Sequence, residues 1–145
     1  MLNFNKLHEG NHILHKGFLR TVISVEPMKL KLQSVGIIPI IDETIYAPVD
    51  RVGDINGISL TPELLNLVGA NEKNGIREMT MKLPDGSYLN LHLITDGYQA
   101  ISDTVPTEPL YFVHQLQNYW EKNTGLKLKM PGGMYTGKYP EYLPV

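Results

Sequence analysis

The chain has 145 residues, of which 42% are apolar and 19% charged, with a formal net charge of −2 and no cysteine. That length suits one domain with its own core, and the composition is too apolar for a disordered chain. Without cysteine there is no disulfide, thiolate nucleophile or thiolate zinc site, and without a basic excess there is no long-range pull on nucleic acid.

The first residues, Met1-Leu2-Asn3-Phe4-Asn5-Lys6, lack the charged start and apolar run of a signal peptide, and no stretch approaches the roughly 18 apolar residues of a membrane span. The expected setting is a cytoplasm, with no membrane partner. Next comes the densest histidine cluster, His8, His12 and His15. Spacings of four and three suit metal ligands on a helix, but Gly10 and Asn11 oppose a helix there. Read as a strand, the segment puts His8 and His12 on one side and His15 on the other, so no three-ligand metal site is expected.

From Asn11 to Val52 the chain is rich in β-branched residues and interrupted by Gly and Pro, the pattern of a small β-sheet or barrel. In the strand 18–25, Leu19, Thr21, Ile23 and Val25 are expected to face the core. Residues 28–33 alternate, which turns Met28, Leu30 and Leu32 inward. Residues 35–41 and 44–52 supply two more candidate strands, with Pro39 and Pro48 pointing to edges or bulges. Asp42, Glu43, Asp50 and Asp54 read as acidic loop residues facing water. Lys16, Arg20, Lys29 and Lys31 could form a basic stripe, the one feature favouring a nucleic-acid-binding accessory role.

A helix is predicted over 62–68, with Thr61 as N-cap, Pro62 at the first position, Glu63 at the positive end and Gly69 as the stop. A hairpin follows, with arms 76–83 and 88–94 joined by the turn Pro84-Asp85-Gly86-Ser87, and His92 facing solvent. A second helix is predicted from about Leu110 to Asn123, with Leu110, Val113, Leu116, Gln117 and Trp120 on one face and Gly125 as its end. His114 on this helix has no carboxylate or nucleophile nearby in sequence, so a catalytic role would need partners that only the fold brings. The remainder, rich in Gly, Pro and Tyr, reads as an arm packed on its own domain or on a second copy. The expected architecture is therefore α+β: a single domain over 1–128 and a C-terminal arm over 129–145.

Nucleophile-elbow, P-loop and dinucleotide fingerprints are absent from the sequence, so no catalytic residue, metal or cofactor is expected. Glycines in Pro131-Gly132-Gly133-Met134-Tyr135-Thr136-Gly137-Lys138 could bare amides to a phosphate, with Lys138 adding charge and Tyr135 and Tyr139 adding stacking faces. Together with Arg77, His114 and Gln117 these are the candidate ligand contacts.

Three groups of residues resemble a family of small uncharacterised proteins encoded by phages and prophages of Bacteroidetes. They are Gly10-Asn11-His12 with Lys16-Gly17 and the strand Thr21–Val25; Ile58–Leu65 running into Gly69; and Val113-His114-Gln115-Leu116-Gln117-Asn118-Tyr119 running into Thr124-Gly125. The His-Gln-Leu-Gln-Asn core is the most specific element, and the resemblance spans about Gly10 to Leu128. It implies a mobile-element protein acting inside a bacterial cell. By analogy with small phage proteins, the expected activity is binding: sequestering a nucleotide-like signal or blocking a host defence protein, in a homo-oligomer whose eight tyrosines suit either role. A histidine-dependent enzyme is the remaining alternative.

Overall fold

The structure, a computed structural model, describes residues 7–35, 42–46, 55–103 and 105–130. The chain divides into two compact units, the first ending at Ile58 and the second beginning at Ser59. Each unit holds one five-stranded antiparallel sheet among the described residues, and two helices belong to the second. The expected α+β class is what the structure shows. Among the described residues no helix is long and apolar enough to cross a membrane.

In the first unit β1 (His12–His15), β2 (Phe18–Glu26), β3 (Lys29–Ser34), β4 (Asp42–Ile45) and β5 (Ile55–Asn56) pair in the order β4-β3-β2-β1-β5. The turn between β1 and β2 is two residues long, and both Lys16 (φ 53°) and Gly17 (φ 82°) are left-handed. Positive φ at both positions gives the backbone twist that matches paired strands. Leu19 is buried as expected, but the alternation does not continue. Val22 pairs with Leu32 on the core face while Thr21 pairs with Gln33 on the other, and a bulge between Val22 and Ser24 returns Val25 to the face of Val22, so Val22 and Val25, not Thr21 and Ile23, join the core of Leu7, Ile13, Leu30, Leu32 and Ile55. One extra residue reverses every later side chain, which is why strict alternation cannot carry one face through this strand. Met28 sits in the β2–β3 turn and is 59% exposed, while Leu30 and Leu32 face inward as read.

In the second unit β6 (Asn71–Glu72), β7 (Glu78–Lys82), β8 (Tyr88–Ile94), β9 (Gly97–Ile101) and β10 (Glu108–Leu110) pair in the order β10-β9-β8-β7-β6. Their register places Met79, Met81, Leu89, Leu91, Leu93, Tyr98, Ala100 and Leu110 on one face. Of these, all but Leu93 are buried. The helix α1 (Pro62–Leu67) adds Leu64 and Leu65, and α2 (Val113–Thr124) adds Val113, Leu116, Tyr119 and Trp120. Thr61 caps α1 by accepting from the Leu64 N–H at 3.2 Å. Gly125, left-handed at φ 74°, ends α2. Helix α2 starts three residues later than predicted because Leu110 is the last residue of β10. The β7–β8 turn forms as read: the Asp85 carboxylate accepts from the Ser87 N–H at 2.8 Å and its hydroxyl at 2.6 Å.

Candidate functional site

Unit 2 carries a groove of about 590 Å³ where the core face of the sheet runs out past the β8–β9 turn. Leu93 and Tyr98, a cross-strand pair, form its floor with Ile94 and Gly97. Its walls come from Ser59–Pro62, Ile76 and the pair Tyr111–Phe112. Those walls are tied together: Leu60 N–H donates to the Tyr111 carbonyl at 3.0 Å, and Ser59 bridges Phe112. Ile76, Leu93 and Tyr111 are all exposed large apolar side chains, and they gather at this one groove. Convergence of such residues in a concavity marks a binding surface more than scattered exposure does.

Three devices fix the aromatic wall. A single oxygen of Gln115, in the first turn of α2, accepts from Tyr111 N–H at 2.7 Å and Phe112 N–H at 3.1 Å. The Phe112 ring lies 5.7 Å from the His114 ring at an interplanar angle of 11°. Finally, Tyr111 approaches β9 so closely that a Cβ on Gly97 would overlap the Leu110 carbonyl oxygen and lie 2.8 Å from the Tyr111 ring. Only glycine admits that approach. Beneath, the Tyr98 hydroxyl donates to the Ile76 carbonyl at 3.3 Å. Burial first, then Glu63 and Glu72, push its pKa up, so the donor keeps its proton.

The sequence candidates fall around this groove more than in it. His114 is buried, and burial lowers its pKa to about 4, so the ring is neutral. Its Nδ1 is buried without a hydrogen-bond partner, and its position behind Phe112 makes it a support of the wall. Gln117 is likewise on the buried side of α2. Arg77 is exposed next to Ile76 and its carbonyl accepts from Leu93 N–H at 2.9 Å, but its side chain is not part of the lining. Tyr135, Lys138 and Tyr139 lie outside the described residues. The groove residues Leu93, Asp96, Tyr111 and Phe112 were missed, because four chain segments distant in sequence form the site.

Unit 1 holds a second constellation. Glu43, expected in a water-facing loop, belongs to β4 and its Oε1 lies 2.6 Å from His15 Nδ1. Since a carboxylate offers acceptors only, the ring N–H donates, which in the neutral tautomer leaves Nε2 as an acceptor. In a flat sheet three strand spacings, about 14 Å, would separate β1 from β4, so the contact shows that this sheet curls strongly. Arg20 Nε is 4.0 Å from the same oxygen and buried without a hydrogen bond, and its guanidinium sits 5.3 Å from the Phe18 ring centroid. Its pairing with Ser34 puts Arg20 on the Leu32 face, opposite Lys31. Lys29 leans toward Glu26 at 3.9 Å. The anticipated basic stripe is therefore not formed. His12 is buried on the face opposite His15, as the strand reading required, and among the described residues no three potential ligands gather for a metal. Asp50 and Asp54 lie outside the described residues, as do most of 35–41 and 44–52.

No protein-family model, curated protein or solved structure matches this chain.

Proposed function

We propose that this chain is a non-enzymatic binding protein that captures a small nucleotide-like ligand, an aromatic base joined to a sugar, in the groove of its second unit. The groove carries the reading: exposed Tyr111 and half-buried Phe112 offer ring faces above an apolar floor, while Asp96, Ser59 and Thr61 supply a few polar groups to orient the ligand. Its volume falls within the roughly 300–1,000 Å³ of small-molecule sites. With the resemblance to phage and prophage proteins, the biological role is removal of a signal used in host defence, inside a bacterial cell and as a homo-oligomer. A thermal-shift screen tests it with adenosine, guanosine, cyclic nucleotides and ADP-ribose. A ligand at about 100 times its dissociation constant adds about 2.7 kcal/mol, and Phe112→Ala abolishes that gain. Absence of a shift with every compound overturns the reading.

The His15–Glu43 contact favours a second reading, general acid–base catalysis, because an imidazole oriented by a carboxylate is what such chemistry uses. Hydrolysis of an activated carboxylic or phosphate ester above the buffer rate, lost in His15→Gln, would replace binding with catalysis. The binding reading expects no such turnover.

A further inference from the structure

We infer that the groove selects by charge, accepting a base with an unphosphorylated sugar, a nucleoside, and turning away the corresponding nucleotides. This rests on the binding role proposed for the same groove. Among the described residues its lining contains one charged side chain, Asp96, and no lysine, arginine or histidine. A phosphate placed there would meet a carboxylate with no cation to offset it, whereas the two hydroxyls of a ribose can both donate to that carboxylate in charge-assisted hydrogen bonds.

The placement of Asp96 is built in. It occupies the two-residue turn joining Ile94 to Gly97 with φ 62°, a left-handed conformation that a non-glycine residue adopts at a cost. Around the lining the charges are mixed, with exposed Arg77 next to Ile76 on one side and acids on the other. Glu63, next to the lining residue Pro62 in the first turn of α1, and Glu72 both act on the Tyr98 hydroxyl at the groove floor. Lys73 is engaged by Glu78 at 3.4 Å. The nucleotide expected from the sequence thus keeps its base and sugar and loses its phosphate.

Calorimetric titration of the full chain with adenosine and with AMP tests this. Adenosine binds at least about tenfold more tightly than AMP at low salt, and the gap narrows at high salt as the repulsion is screened. Asp96→Asn, which keeps the shape and tolerates the left-handed backbone, weakens adenosine about tenfold and brings AMP level with it. Arg77→Ala leaves adenosine unchanged. AMP binding equal to or tighter than adenosine, or selectivity that survives Asp96→Asn, overturns the charge selection while leaving the groove a binding site. If neither compound nor any other in the screen binds, the parent reading fails and this one with it.

Discussion

Gln115 uses one side-chain oxygen to satisfy two backbone donors just before α2, and those donors belong to Tyr111 and Phe112, the two residues that wall the groove. The first N–H groups of a helix have no partner within it, so a residue that folds back to accept them both stabilises the start and sets the entry angle of the chain. Losing that acceptor costs about 1 kcal/mol of stability. It also frees the Tyr111–Phe112 backbone, so Gln115→Ala should weaken adenosine binding while lowering the urea midpoint modestly. Gln115→Glu should restore both, since a carboxylate accepts the same bonds and favours the positive helix end. Unchanged binding in the alanine variant would mean that the His114 stack and the Gly97 contact suffice to hold the wall.

At the scale of elements, what could be read in advance depended on how local its cause is. The β7–β8 hairpin was legible because Asp85 and Gly86 determine the turn within four residues, and both ends of α1 and the stop of α2 follow from Thr61, Pro62, Gly69 and Gly125 alone. The bulge in β2 was not, since nothing about Ile23 distinguishes it from a regular strand residue; the shift exists only in the pairing of Val22 with Leu32 and of Ser24 with Lys31. The same holds for Glu43 and His15. They are 28 residues apart and meet through the curl of a sheet, so the acid read as a solvated loop residue. In the groove, Leu93 continues the core alternation of Leu89 and Leu91 and gives no sign that it is exposed. Only its place at the end of the sheet, where the groove opens, turns a core residue into a groove floor.

For the whole molecule, two of the three buried histidines, one in each unit, make it sensitive to acid: His12 in β1 and His114 in α2. Burial lowers both from the ordinary 6.5 to about 4. Between those values the unfolded chain takes up a proton at each position and the folded chain does not, so stability is complete above about pH 6.5 and declines as pH falls toward 4. At about 1.4 kcal/mol per pH unit, the decline reaches about 3 kcal/mol for each ring, a large part of a typical total of 5–15 kcal/mol. Glu78 and Asp85, held below their ordinary 4.5 and 3.8 chiefly by hydrogen bonds from Asn74 and Ser87, act only at lower pH. Urea midpoints measured from pH 7.5 to 4.5 should therefore fall steeply. His114→Phe, which keeps a ring behind Phe112, should remove about half of the slope, and His12→Phe the other half. Because His114 stays neutral in the folded chain down to about pH 4, adenosine affinity should hold level over this range even as stability declines; a flat stability profile in the parent would mean that these two rings reach water more readily than their burial implies.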